Sequence, residues 1–319
     1  MTAPRDHGGG IDAAIARFGG NRADWLDLST GINPIPYPVP DLNQNDWTAL
    51  PDHAAQSGLL KTARRFWHVP DTADILAAPG ASALIARLPG LLPRGQVQIT
   101  APTYNEHAAA FAQSGWQVSE KPGQVRAVVH PNNPDGRLWS REDLLSHPPQ
   151  LLIIDESFCD VTQAESHIEL AADPGVIILK SFGKFWGLAG LRLGFAIGHP
   201  DSISALGNSL GPWAVSGPAL KTGREALENR DWAKETRQRL ATDAARLDTL
   251  LARVQIPTIG GTDLFRLYDL PDAKDLHLGL ARHHILSRIF PYSSRWLRLG
   301  LPGTAADWQR LEAALTDLT

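Results

Sequence analysis

Six short apolar runs punctuate the middle of the chain: ADILAAP, QVQITAP, VRAVVHP, LLIIDES, VIILKSF and LRLGFAI, near residues 73, 96, 125, 151, 176 and 191. Several are rich in Val and Ile, most are bounded by Pro, Gly or Asp, and helical patterns separate them. That alternation predicts the buried strands of a largely parallel sheet with helices on its faces, an α/β domain. From Ser216 the pattern becomes that of one or two long helices, ALKTGREALENRDWAKETRQRLATDAARLDTLLARV. Beyond Ile256, two strand candidates, DLFRLYDL and RWLRLGLP, and a closing helical pattern, AADWQRLEAALTDL, predict a smaller α+β domain. Before residue 45 the stretch INPIPYPVP holds too much proline for regular structure and predicts an arm or strap. The expected division is an arm over 1–45, a large domain over 46–215, and a small domain with its connecting helix over 216–319.

Composition narrows the function classes. The chain has 319 residues, 43% of them hydrophobic and 20% charged, with a formal charge of -4 and its Lys and Arg scattered. Nothing in that balance calls for nucleic acid or an anionic membrane as a partner. The one cysteine, Cys159, closes an apolar run and reads as a buried thiol; it excludes an intrachain disulfide and a Cys-based zinc site and fits a reducing cytoplasm. His283 and His284 are adjacent, a spacing that gives no metal site. MTAPRDHGGG lacks the apolar core of a signal peptide, and no run approaches the ~20 apolar residues of a membrane span. The expectation is a cytoplasmic protein without a metal.

A sheet of this kind binds ligands beyond the carboxyl ends of its strands. The residues there are Gly80, Ala81 and Ser82, then Tyr104, Asn132 and Asn133, Asp155, and Lys184. Lys184 sits in SFGKFWGLAGLRLGF, at 181 to 195, three residues after Ser181 and eight before Arg192. Apolar and aromatic neighbours make its ammonium costly to desolvate, so its pKa should fall toward the free amine that attacks aldehydes. Asp155 ends LLIID. As a buried carboxylate it would keep a pyridinium nitrogen protonated, and as an exposed one it would only shape a turn. Arg192 offers a bidentate fork for phosphate. The helix start at Gly80, Ala81 and Ser82 offers backbone N–H groups for an anion, and Tyr104 a flat face for stacking.

These pieces, with PNNPDG at 131 to 136, DESF at 155 to 158 and the S-x-x-K-x7-R spacing at 181 to 192, resemble the pyridoxal-phosphate enzymes of the aspartate aminotransferase fold type, class I and II. The resemblance implies a three-layer large domain that binds pyridoxal 5'-phosphate, a smaller α+β domain and a homodimer. By it, Lys184 would hold the cofactor covalently and shuttle protons, Asp155 would pair with the ring nitrogen, Asn133 would bond the phenolic oxygen and Tyr104 would stack on the ring. Gly80, Ala81, Ser82, Ser181 and Arg192 would hold the phosphate, and Arg298, in WLRLGLP, would grip a substrate carboxylate. Two departures stand out. Phe158 occupies a place where many relatives carry a tyrosine, and Leu50 one where relatives carry a tyrosine that reaches the neighbouring subunit.

The amino-terminal HGG at 7 to 9 and LDLSTGINP at 26 to 34 further resemble the threonine-phosphate decarboxylases of cobalamin biosynthesis, kin of the histidinol-phosphate aminotransferases. That likeness implies a phosphorylated amino-acid substrate, with His7 and Asn33 on its phosphate and Arg295 and Arg298 supplying further donors. The expected reaction is decarboxylation of L-threonine O-3-phosphate to (R)-1-amino-2-propanol O-2-phosphate. A histidinol-phosphate or related aminotransferase is the alternative, and a non-catalytic protein keeping the fold is the alternative of another class. Spacing does not separate them, because the reaction depends on where carboxylate and phosphate are clamped.

Overall fold

The computed structural model describes residues 6–318. Helix α1 (Ile11–Phe18) and the short strand β1 (Leu26–Asp27) come first. Helices α2 (Gln44–Thr48) and α3 (His53–Trp67) then lead to strand β2 (Asp74–Ala78) and helix α4 (Ala81–Ile85). The central run holds β3 (Gln96–Gln98), α5 (Asn105–Gln113), β4 (Gln117–Ser119), β5 (Val125–Val129), α6 (Arg141–Leu145) and β6 (Leu151–Asp155). Strands β7 (Val176–Ser181) and β8 (Gly194–Gly198) and helix α7 (Pro200–Leu210) complete it. Helices α8 (Gly217–Glu228) and α9 (Arg230–Arg253) follow. Last come β9 (Thr258–Thr262), β10 (Phe265–Asp269), α10 (Ala273–Arg282), β11 (Ile285–Leu286), β12 (Arg288–Phe290), β13 (Ser293–Gly300) and α11 (Ala305–Leu318).

By their contacts the residues form two compact units. The larger holds Pro36–Asn133 and Arg137–Glu235; the other takes the described residues up to Ile35, Pro134–Gly136 and those from Thr236 onward. In the larger unit seven strands run in the order β2-β8-β7-β6-β5-β3-β4. All neighbours are parallel except that β8 is antiparallel to both β2 and β7. The α/β fold class expected from the apolar runs is therefore the fold observed, with each of the six runs supplying one strand. The central strands β5 and β6 are buried at every position, which is why their sequences show no polar alternation. Leu84, Val97, Phe111, Val125, Ile153 and Leu179 are among the residues of the core on these strands and helices. Strand β4 escapes the apolar pattern because it is a three-residue edge strand with Val118 38% exposed.

Local chemistry sets the helix ends. Asp52 caps α3 by accepting from the Ala55 amide at 2.7 Å, and His68 ends it in the left-handed region at φ 56°. The long helical pattern after Ser216 is two helices, broken at Asn229, whose side chain accepts from the Trp232 amide at 3.0 Å.

In the smaller unit, β12-β13-β10-β9 form an antiparallel sheet and β1 pairs with β11 in parallel. The amino-terminal segment is not devoid of regular structure, as the proline content had suggested. Ile11, Ala14, Ile15 and Phe18 share one face of α1 and pack with Trp25, Ala281 and Leu286. Apart from Pro4, the prolines of that segment begin only at Pro34. Among the described residues no helix is long and apolar enough to cross a membrane.

Candidate active site

The cavity beyond the carboxyl ends of β2, β5, β6 and β7 is lined by Ala81, Ser82, Tyr104, Asn133, Asp155, Ser157, Phe158, Ser181, Lys184 and Arg192. Nine of the residues singled out in the sequence for cofactor binding are thus accounted for in one unit, eight on the wall and Gly80 directly behind it. Parallel strands deliver them: Asp155 is the last residue of β6 and Ser181 the last of β7.

Asp155 lies at the floor, 2% exposed. One carboxylate oxygen accepts from the Ser157 amide at 3.0 Å and the Ser157 hydroxyl at 2.5 Å; the other is bonded to His107 Nε2 at 2.9 Å. Burial alone would raise its pKa, but the hydrogen bonds of His107 and Ser157 outweigh burial and hold the carboxyl below its ordinary range. An ionised carboxylate at the floor is what a protonated ring nitrogen requires.

His107 escaped the sequence reading. It stands on α5, three residues after Tyr104 and therefore on the same helix side, and is 1% exposed. Its partner is 48 residues away, so only the Tyr104 spacing hinted at it. Replacing His107 by Leu is expected to weaken pyridoxal phosphate binding about tenfold, the worth of about 1.5 kcal/mol for a hydrogen bond to a charged group. Equilibrium titration of the apoprotein with the cofactor checks it.

The opposite end of the cavity suits a phosphate. Arg192 Nη2 donates to Ser82 Oγ at 3.1 Å and Nη1 to the Ala189 carbonyl at 3.0 Å, so the guanidinium is fixed beside the first turn of α4. Gly80 makes this possible. It has φ 85°, and a Cβ there would stand 2.6 Å from Arg192 Nη2. Backbone amides at the start of α4, the hydroxyls of Ser82 and Ser181 and one guanidinium form a donor set matched to a doubly charged oxyanion. Between the two ends, Lys184 Nζ lies 5.1 Å from the centre of the Phe158 ring, and Tyr104 and Asn133 line the wall. A donor set for phosphate, an acid for a ring nitrogen, an aromatic wall and an amine between them fit pyridoxal phosphate.

The other sequence candidates belong to the smaller unit. Arg298, on β13, is 5% exposed, donates to the Ser29 carbonyl at 2.8 Å and lies 4.8 Å from the centre of the Phe265 ring. Burial, with the charge of Arg288 second, pushes its pKa down to about 10, so it stays cationic at neutral pH. His7 is exposed. The glycines after it have a structural reason: the Gly9 amide donates to Ser29 Oγ at 2.7 Å, and a Cβ on Gly8 would stand 2.4 Å from the Ser29 carbonyl oxygen. Asn33 is buried, its side-chain oxygen accepting from the Ile35 amide at 3.1 Å and from Arg239 at 2.7 Å.

Arg295 is not brought together with Arg298. The two are three apart on β13, so the pleat turns them to opposite faces, and Arg295 forms a bidentate pair with Asp269. The guanidinium on the Arg298 face is instead Arg288, directly opposite it in the β12–β13 register. Arg288 donates to Asp6 at 2.6 Å.

The family model for aminotransferase class I and II matches residues 25–315. Among curated proteins, the threonine-phosphate decarboxylase of Pseudomonas aeruginosa is 40% identical over 97% of both chains. That of a Sinorhizobium species is 40% identical over 99% of this chain and 98% of its own. In fold, the histidinol-phosphate aminotransferase of Sinorhizobium meliloti, solved with pyridoxal-5'-phosphate, superposes with a TM-score of 0.81 at 18% identity, covering 99% of this chain and 95% of that one. The chain belongs to the aminotransferase class I and II family of enzymes.

Proposed function

We propose that the chain is a pyridoxal-phosphate-dependent lyase that decarboxylates L-threonine O-3-phosphate to (R)-1-amino-2-propanol O-2-phosphate, the reaction that serves cobalamin biosynthesis. The observation that carries the reading is the pair of arginines on one sheet face, Arg288 opposite Arg298. Asp6 is the anion on Arg288 within the chain, and a substrate with both a carboxylate and a phosphate would bring two more to this cationic face. The names of the two relatives at 40% identity support the same substrate.

Bound in the cavity, pyridoxal phosphate supplies an electron sink for the pair left when a bond at the substrate Cα breaks. Lys184 would supply the amine that holds the cofactor and would deliver a proton to the substrate Cα after carbon dioxide has left. Asp155, held ionised by His107 and Ser157, would keep the proton on the ring nitrogen. Ser82, Ser181, Arg192 and the amides of Gly80 and Ala81 would hold the cofactor phosphate, Asn133 would bond its phenolic oxygen, and Tyr104 would face its ring. Arg298 takes the substrate carboxylate, and Arg288, with His7 and Asn33, its phosphate; Arg295 is left to its pairing with Asp269.

Replacing Arg288 by Gln is expected to raise KM for threonine phosphate about 10- to 100-fold, the worth of a charge-assisted hydrogen bond, with a smaller change in kcat. Initial rates of carbon dioxide release over a substrate range check this. An unchanged KM would move the phosphate away from Arg288.

The protein is further read as a cytoplasmic homodimer. Trp47 and Leu50, 66% and 67% exposed, give the larger unit an apolar surface that a second copy would cover.

A further inference from the structure

The backbone ladder between β6 and β7 stops just short of the cavity. The register ends at Asp155 opposite Leu179, and the last bond runs from the Glu156 amide to the Leu179 carbonyl at 2.9 Å. Beyond it, Lys180 and Ser181 pair only with β8. A side-chain link continues where the ladder ends. Lys180 Nζ donates to Glu156 Oε2 at 2.6 Å and stands 3.7 Å from Asp160 Oδ1. All three residues are buried, between 1% and 3% exposed.

The acids have further partners. Glu156 also accepts from the Ser166 hydroxyl and the His167 amide, each at 2.6 Å. Asp160 accepts from the indoles of Trp67 at 2.9 Å and Trp186 at 3.0 Å. Every member is tied to the cavity through the chain. Glu156 follows Asp155 and Lys180 precedes Ser181, so the pleat turns the charged pair away from the cavity as it turns Asp155 and Ser181 toward it. Asp160 holds Trp186, two residues past Lys184, and the ring of Trp186 is stacked between Phe182 and Trp232.

Stability alone is a poor reason for three buried charges, since an apolar set of equal volume is often as stable or more so. We infer that Lys180, Glu156 and Asp160 form a positioning group that sets the spacing of Asp155 from Ser181 and Lys184 across the mouths of β6 and β7. The inference rests on the reading of the cavity as the pyridoxal phosphate site.

The test is Lys180→Met combined with Glu156→Gln, which removes both charges of the pair at nearly constant volume and leaves Asp160 to the indole donors of Trp67 and Trp186. Purified apoprotein is melted, then titrated with pyridoxal phosphate while the circular dichroism of the bound cofactor is recorded. The double variant is expected to melt near the wild type, bind the cofactor about tenfold more weakly and show an altered cofactor dichroism, since a shift of about 1 Å costs up to about 100-fold in such a site. Wild-type affinity and dichroism would overturn the inference. So would a variant that fails to fold or loses affinity only in step with its melting temperature, because the group would then act on stability. Failure of the wild-type protein to bind pyridoxal phosphate would be visible before any substitution and would sink the reading of the cavity instead.

Discussion

Replacing Lys184 by Ala is expected to lower kcat by about four orders of magnitude or more, the loss that follows when one group supplies both the nucleophilic amine and the proton. The position leaves little room for a substitute. Lys184 lies in a turn, with the Gly187 amide bonded to its carbonyl at 3.1 Å, and its Nζ projects over Phe158 into the cavity. Lys180, next to Ser181 in the chain, is directed away from the cavity and locked to Glu156, whose carboxylate, with that of Asp160, holds the lysine pKa above its ordinary value despite burial. It cannot take over. The variant should still bind pyridoxal phosphate through the Ser82, Ser181 and Arg192 donors, but without a covalent attachment. Steady-state rates and mass spectrometry after borohydride reduction check both parts, and a variant with wild-type turnover would remove Lys184 from the chemistry.

Asp155→Asn is expected to cost about 100- to 1000-fold in kcat, the loss typical of a single preorganised electrostatic partner. The amide keeps the shape of the carboxylate but cannot hold a proton on the ring nitrogen by charge. It would also turn an N–H2 toward either His107 or Ser157, both of which donate to the carboxylate in the native protein. Asp155 also bears on acid stability. Its folded-state pKa is depressed, so its contribution is fully present above the unfolded value of about 3.9 and is lost as the pH falls through the lower, folded value. The wild-type protein should therefore lose more stability on acidification than Asp155→Asn does. Melting temperatures of both proteins from neutral to acid pH check the sign.

Much of the larger unit was legible because its strands are buried on both faces and so appear as unbroken apolar runs. The polar residues that end those runs, Asp155 and Ser181, sit where ligands bind in parallel sheets. Lys184, Arg192 and Gly80 stood out beside the strand ends, and their roles came from the resemblance carried by the S-x-x-K-x7-R motif. What was not legible depends on pairing between distant segments. His107 meets Asp155 across 48 residues, and Arg288 meets Arg298 only through the hairpin register, which a bulge between Ile289 and Phe290 displaces. Arg295 was named with Arg298 as a further donor, although an odd spacing on a strand separates their faces. The glycines of HGG were noticed as a motif, but their close fit against Ser29 lies 20 residues downstream. Lys180 and Glu156 were hidden by their neighbours, each lying beside a cavity residue with its own side chain turned the other way.

The measurement that bears most directly on the proposed reaction is mass spectrometry of the products formed from L-threonine O-3-phosphate by the protein loaded with pyridoxal phosphate, with and without 2-oxoglutarate. Aminopropanol phosphate in equal yield from both mixtures is the predicted result. A keto product that appears only with 2-oxoglutarate would contradict the account and assign the chain to transamination.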